Sequence, residues 1–140
     1  MGLKTTTLSV GELCMLNTEL NLEKGLLSER LPMVFKYHLS KVAKIAADEQ
    51  NAVDKLRDES IRSLGVVTAE GGFTIEQFIE VKKAGKTNKV QNPVYLNFVH
   101  EMEKLLKEER IVSHDEFFID DLKEVNSAGG FPIFFKLLDA

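Results

Sequence analysis

The first strong pattern along the chain predicts the start of an amphipathic helix at Val10. Ser9 is a favourable N-cap residue, and Glu12 follows it at the spacing of a capping box. Leu8 and Leu13 occupy the two positions of a hydrophobic staple. The apolar residues of this first helix then recur at helical spacing and predict one buried face: Leu13, Leu16, Leu20 and Leu27.

A second, much longer helix is predicted from Pro32 to about Leu64. Proline favours the first position of a helix, and Gly65 supplies a C-terminal cap. The connection over residues 28–31 is short, which favours an antiparallel arrangement of the first two helices. Polar residues near Glu49 interrupt the apolar stripe of the second helix, which otherwise consists of Phe35, Leu39, Val42, Ala46, Val53, Leu56 and Leu64.

The pattern changes after Gly65. Residues 66–68 and 73–75 predict two short β-strands around a turn at Gly71 and Gly72. Residues 76–81 fit a strand or a helix equally well, and residues 82–89 are expected to form a polar basic loop.

Asn92 and Pro93 predict a third helix, as its N-cap and first residue. Short strands are expected over residues 110–112 and 116–119. The predicted fold is therefore α+β and mainly α, with a long antiparallel helical hairpin, a third helix and short β-hairpin or strand segments. No internal repeat or domain boundary is evident, so residues 1–140 are expected to form a single domain, with 127–140 as a C-terminal interaction arm.

Composition narrows the classes of function. The chain has 140 residues, with 18 basic and 22 acidic side chains and a net charge of −4. This balance provides no global attraction to nucleic acid or to anionic membranes. The single cysteine, Cys14, excludes an intramolecular disulfide. No apolar run approaches the roughly 20 residues that span a bilayer, so no membrane partner is expected.

Two short motifs begin like catalytic or binding signatures but lack essential residues. The tripeptide at 85–87 ends like a phosphate-binding loop, yet Glu80 stands where such a loop needs its first glycine. His100 and Glu101 begin like a zinc-protease helix, but Lys104 replaces the second histidine. The acidic residues around His114 lack the spacing of a cation-binding loop and are interpreted as a solvated face. The sequence therefore predicts a non-catalytic protein with no metal and no other cofactor.

The predicted basic loop is the strongest candidate for binding an anion. It concentrates four lysines on an acidic protein: Lys82, Lys83, Lys86 and Lys89. Arginine and interleaved aromatic residues, which are typical of nucleic-acid grooves, are absent from it. The loop is expected either to be solvated or to contact an acidic partner, which is a protein surface or nucleic acid.

The C-terminal segment concentrates large apolar side chains beyond Gly129 and Gly130: Phe131, Ile133, Phe134, Phe135, Leu137 and Leu138. Exposed together they would favour aggregation, so they need a cover. Either the helices of the same chain or a neighbouring subunit could provide it. Because a segment beyond two glycines can extend away from its own domain, we favour the neighbouring subunit and interpret these residues as partner-binding.

The order of elements resembles a family of small phage-encoded proteins of uncharacterised function. The resemblance rests on a short first helix, a long helix that opens with residues 37–42 and closes with 55–61, and a glycine turn. A helix that ends at residues 102–106 and an acidic segment at 115–119 complete it, so that it covers roughly residues 8–125. The resemblance implies a phage origin and no known catalytic residues.

Two functions remain as expectations. The first is a virion structural or assembly component that binds other protein subunits in a capsid, neck or tail, as a homo-oligomer or as part of a larger assembly. The alternative is a phage regulatory or anti-defence protein that binds a host protein or nucleic acid in the host cytoplasm.

Overall fold

We describe a computed structural model of the chain, which covers residues 3–122, 125 and 130–138. The fold is α+β and mainly α, as the sequence predicts. Its described helices and strands are β1 (Leu3–Ser9), α1 (Val10–Glu19), α2 (Met33–Leu64), β2 (Val66–Val67), β3 (Phe73–Thr74), β4 (Phe78–Lys83), β5 (Lys86–Gln91), α3 (Pro93–Lys107), β6 (Glu109–Asp115) and α4 (Pro132–Leu138).

The chain folds as two compact units. The first contains the described residues up to Asn51 and from Leu106 onward, and the second is Ala52–Leu105. The boundaries fall inside α2 and α3, where no change of composition marks them. The sequence therefore contains no linker that would mark the two units.

The capping box predicted at the start of α1 is present. The Ser9 hydroxyl accepts from the Glu12 N–H, and the Glu12 carboxylate accepts from the Ser9 N–H, both at 3.0 Å. Leu8 and Leu13, the predicted staple, are both buried. Local spacing therefore determines where this helix begins.

The predicted extension of the first helix to Leu27 is wrong, because α1 ends at Glu19. The side-chain oxygen of Asn21 accepts from the backbone N–H of Glu23 and Lys24 and holds a turn. The chain then approaches the end of α1 so closely at Gly25 that a β-carbon there would lie 2.4 Å from the Glu19 carbonyl oxygen. Leu27 still reaches the core, from a 3₁₀ turn over Leu26–Ser28.

The long second helix is continuous through the polar residues at Glu49 and Gln50. Its end at Leu64 is set by Gly65, whose N–H donates to the Ile61 carbonyl at 2.8 Å. A β-carbon on Gly65 would lie 2.3 Å from the Thr74 carbonyl oxygen, so the approach of β3 also requires glycine. Within the described residues, no helix is both long and apolar enough to cross a membrane.

The first unit is organised around a two-stranded antiparallel sheet and a buried apolar core. β1 pairs with β6 in a register that runs from Leu3 opposite Asp115 to Ser9 opposite Glu109. β1 was not predicted, and β6 continues through residues 113–115, where the sequence pattern predicts a break between two strands. No strand forms over 116–119. The core consists of Leu8, Leu13, Leu16, Leu20, Leu26, Leu27, Phe35, Leu39, Val42, Ala46, Val112, Phe117, Phe131, Ile133, Phe134 and Leu137.

The second unit contains two hairpins and parts of two helices. β2 pairs with β3, as predicted, and β4 pairs with β5. Asn92 caps α3, since its side-chain oxygen accepts from the Val94 N–H at 3.0 Å and its amide nitrogen donates to the Glu76 carbonyl at 2.8 Å. Only two side chains of this unit, Val53 and Ile75, are buried hydrophobic residues.

Candidate functional site

The predicted basic loop is instead part of a β-hairpin, which corrects that expectation. β4 and β5 are joined by a two-residue turn at Ala84 and Gly85, with φ angles of 55° and 78°. Two successive positive φ angles are the signature of the hairpin turn whose twist matches the flanking strands. The polar composition of residues 82–89 hid this strand pairing.

The hairpin register separates the four lysines. Lys82 lies opposite Thr87 and Lys89 lies opposite Glu80, which places both lysines on one face. Lys83 and Lys86 lie opposite each other on the other face, beside the turn. The lysines are therefore divided two and two, and Glu80 faces one of them. They do not form the single positive patch that the sequence suggests.

The face that carries Lys83 and Lys86 is apolar over the rest of its length except at Asn88, which lies opposite Val81. Ile79 lies opposite Val90, and Val81 follows two residues along the strand on the same side. Val81 and Val90 are exposed, and Ile79 is half-buried. We call Ile79, Val81 and Val90 the hairpin face.

The second unit as a whole leaves many large apolar side chains uncovered. Ten of them in residues 52–105 are 40–66% exposed: Leu56, Leu64, Val66, Val67, Phe73, Phe78, Val81, Val90, Val94 and Leu96. Helix α3 is strongly amphipathic and yet has no buried residue. Single apolar residues are normal on a protein surface. Ten exposed large apolar side chains in a unit that buries only two hydrophobic side chains are not, and they indicate an interaction surface.

The C-terminal residues predicted to bind a partner are mostly buried in the core of their own chain. Phe131, Ile133, Phe134 and Leu137 belong to the core of the first unit, and Leu138 packs against it. This corrects the interpretation of the described part of the segment as an arm covered by a neighbour. Of the six residues, Phe135 alone is exposed, at 37%. Gly129 and the rest of 126–129 lie outside the described residues.

The C-terminal residues are buried in their own chain because α4 packs on α1 through both polar and apolar contacts. The Glu19 carboxylate accepts from the N–H groups of Ile133 and Phe134 at 3.1 and 2.9 Å. Lys136 donates to the Glu12 carboxylate. This hydrogen bond, followed by the one from the Ser9 backbone, holds the pKa of Glu12 below its usual value of 4.5.

A cavity of about 230 Å³ lies in the first unit, between the start of α2 and the segment that follows β6. Its aromatic wall is formed by Phe35, Phe117 and Phe118. The rings of Phe35 and Phe117 are buried and meet edge to face with centroids 5.3 Å apart, whereas Phe118 is exposed. No pattern in the sequence predicted this cavity.

Polar groups of opposite charge lie beside this aromatic wall. His38 Nδ1 is 2.7 Å from Asp115 Oδ2. Glu116, which also lines the cavity, has the Lys4 ammonium at 3.6 Å. Asp121 lines the cavity too and has no ion-pair partner among the residues that the structure describes. The three carboxylates therefore outnumber the two basic groups.

His114 has a structural position next to this cavity. Its ring is buried and stacks on Phe117, with centroids 5.6 Å apart. Nδ1 lies 2.8 Å from the Asp115 carbonyl oxygen and carries the proton, because a carbonyl only accepts. Nε2 lies 2.8 Å from the Thr6 hydroxyl and thereby links β6 to β1. Within residues 3–122, 125 and 130–138, no three His, Cys, Asp or Glu side chains are grouped so that they could hold a metal ion.

Comparison of the chain with protein-family models, with curated proteins and with solved structures found no match.

Proposed function

We propose that this protein is a non-catalytic subunit of a protein assembly and that it associates with a second copy of itself through its second unit. The observation that carries the proposal is the contrast in that unit between two buried hydrophobic side chains and ten exposed large ones. Fully burying an exposed side chain of this size is worth about 1.5–3 kcal/mol. These side chains are 40–66% exposed, so each contributes about half of that when covered, and an interface that covers several of them is favoured.

The small size of the second unit supports the same proposal. A domain of about 60 residues buries only roughly 60% of the surface that its unfolded chain exposes and is marginally stable, and so are two-stranded hairpins alone. The unit contains two such hairpins, and the β4–β5 pair is a sheet of its own. An apolar cover from another subunit supplies the burial that the unit lacks, as in obligate interfaces that resemble a divided core.

The hairpin face suits a two-fold interface. A two-fold contact brings the same residues of both copies together, so its centre must carry no net charge. Ile79, Val81 and Val90 are uncharged, and the lysines lie at one end, beside the turn. When two copies pack with their hairpins antiparallel, the Lys83–Lys86 ends lie at opposite margins and do not repel each other.

The experiment is sedimentation equilibrium of the full chain and of the double variant Val81→Thr, Val90→Thr. Threonine keeps the branched shape and strand propensity of valine and adds a hydroxyl that is costly to bury unpaired. We expect the natural chain to be an oligomer and the variant to dissociate at least about tenfold more readily, since each buried hydroxyl costs about 1–3 kcal/mol.

The matched control is Lys82→Thr, which places the same residue on the opposite face of the hairpin. This variant is expected to associate like the natural chain. A natural chain that stays monomeric at all accessible concentrations contradicts the proposal, as does equal weakening by the control.

The finer proposal is that the assembly is part of a phage virion. It rests on the resemblance to small phage-encoded proteins together with the uncovered apolar surface. Mass spectrometry of purified virions of the encoding phage tests it: many copies per particle are expected, and absence from particles contradicts it. The alternative of a nucleic-acid contact through the lysines has less support, because the register divides them between two faces.

A further inference from the structure

The cavity between the start of α2 and the segment after β6 shares no residue with the apolar surface of the second unit. All its lining residues belong to the first unit. Its volume of about 230 Å³ is slightly below the roughly 300–1,000 Å³ of most ligand clefts, so it suits a small ligand. An apolar wall with a few converging polar groups is the usual composition of such a site.

The charged groups at this cavity determine whether it favours a cationic or an anionic ligand. Asp115, Glu116 and Asp121 contribute three negative charges, whereas Lys4 contributes one positive charge through its contact with Glu116. His38 contributes at most one more, through its contact with Asp115. The group is therefore net negative whether or not His38 is protonated, and it repels an anion.

The aromatic rings indicate what the uncharged part of the ligand is. Phe35, Phe117 and Phe118 all line the cavity; the first two are buried and Phe118 is exposed. Aromatic walls bind hydrocarbon and ring bodies, and ring faces attract cations. We propose that the cavity binds a small organic amine, with its ring or hydrocarbon body against these phenylalanines and its protonated nitrogen at Asp121.

Asp121 is the carboxylate best placed for the ammonium group. Asp115 already has His38 Nδ1 at 2.7 Å, and Glu116 has Lys4 at 3.6 Å. Asp121 has neither kind of partner among the described residues, and it is half-buried, which limits competition from water. A ligand nitrogen there gains a charge-assisted hydrogen bond without displacing an ion pair that the chain itself makes.

The test compares three probes of nearly equal shape on the full chain by titration calorimetry and by amide NMR shifts at residues 115–118. They are 2-phenylethylamine, the neutral 2-phenylethanol and the anionic phenylacetate. We expect the amine to bind saturably and the alcohol to bind about tenfold more weakly, because it lacks the charge-assisted bond. Phenylacetate is expected not to bind. Equal affinities for all three probes, or no binding by the amine, overturn the proposal.

Variants identify the partner of the nitrogen. Asp121→Asn is expected to weaken the amine about tenfold and to leave the affinity for the alcohol unchanged. Asp120→Asn is the matched control, since Asp120 is adjacent in sequence but does not line the cavity. Unchanged amine affinity in Asp121→Asn overturns the assignment. If that variant does not fold, Asp121→Ser, which also removes the carboxylate, is measured in its place and must weaken the amine while leaving the affinity for the alcohol unchanged.

A fourth probe separates a free small amine from a lysine side chain of a protein. Nα-acetyl-lysine amide carries the same ammonium group on a slender chain that leaves the aromatic wall partly uncovered. We expect it to bind about tenfold more weakly than 2-phenylethylamine, because it has no ring to bury against the phenylalanines. Tenfold corresponds to about 1.4 kcal/mol of binding free energy. Equal or tighter binding by the lysine derivative contradicts the assignment to a small ring-bearing amine.

Discussion

The Glu19 carboxylate accepts a hydrogen bond from the backbone N–H of Phe134 at 2.9 Å, although 115 residues separate the two along the chain. Its other oxygen accepts from the N–H of Ile133. A helix leaves its first N–H groups without internal partners, and its N-terminus carries partial positive charge. One side chain at the end of α1 therefore satisfies two N–H groups at the start of α4 and fixes the position of the C-terminal helix.

Glu19→Gln tests this contact. Glutamine retains one acceptor oxygen, so one of the two N–H groups loses its partner and the amide nitrogen opposes it. We expect the free energy of unfolding to fall by about 1–2 kcal/mol, as for loss of a helix cap. Urea denaturation of the full chain measures it. Glu23→Gln, on an exposed turn, is the control and is expected to change stability by less than about 0.5 kcal/mol. Equal effects of the two variants would mean that the contact is not stabilising.

Two adjacent phenylalanines of α4 distinguish a core role from a partner-binding role. Phe134 is fully buried and its ring lies 5.5 Å from that of Phe117, whereas Phe135 is exposed. We expect Phe134→Ala to destabilise the chain by about 3–5 kcal/mol through lost contacts and a residual cavity. Phe135→Ala is expected to cost less than about 1 kcal/mol. Thermal or urea unfolding checks both, and a well-folded Phe134→Ala chain that fails to assemble would restore the arm interpretation.

The parts of the fold that sequence predicts are those that local spacing determines. The Ser9–Glu12 capping box, the cap at Asn92 and the end of α2 at Gly65 each depend on contacts within a few residues or on backbone geometry at one position. β1 was missed because its partner, β6, is about a hundred residues away and its threonines give no apolar alternation. Pairing over that distance leaves no local pattern.

The candidate sites were harder to predict for the same reason. His38 and Asp115 meet across elements that are far apart in sequence, so no spacing rule brings them together. The lysines of residues 82–89 are visible in sequence, but their division between two faces depends on strand register. The sequence does show that the apolar C-terminal segment must be buried against something. It does not show that Glu19 binds the start of α4 and so places the segment against its own chain.

The contact between Lys136 and Glu12 predicts a pH dependence of stability. The pKa of Glu12 is lowered in the folded chain, mainly by this hydrogen bond. A carboxyl whose pKa is lowered by folding stabilises the protein above its unfolded value, near 4.5 here, and this stabilisation is lost as pH falls through the folded pKa. Lys136→Met is therefore expected to be less stable than the natural chain by under about 1 kcal/mol at neutral pH.

The difference between the two proteins is expected to shrink as pH falls below about 4.5, because Glu12 becomes protonated in both. Urea denaturation at a series of pH values measures it. Lys44→Met is the control, since the Lys44–Asp48 pair is exposed and screened by water. Curves of stability against pH that stay parallel for the natural chain and Lys136→Met would exclude this linkage.

The turn of the β4–β5 hairpin predicts a stabilising substitution. Ala84 has a φ of 55°, where the β-carbon of an ordinary residue crowds the backbone at a cost of about 1–2 kcal/mol. Asparagine tolerates this conformation, and Asn-Gly is the preferred pair for a two-residue hairpin turn. We expect Ala84→Asn to raise the free energy of opening the hairpin by about 0.5–1 kcal/mol, so that amide hydrogen exchange across β4 and β5 slows about two- to fivefold.

Ala69→Asn is the control, because Ala69 lies near the other hairpin turn without a positive φ. This variant is expected to leave exchange across β4 and β5 unchanged. Faster exchange in Ala84→Asn would mean that residues 84 and 85 do not form this turn in solution.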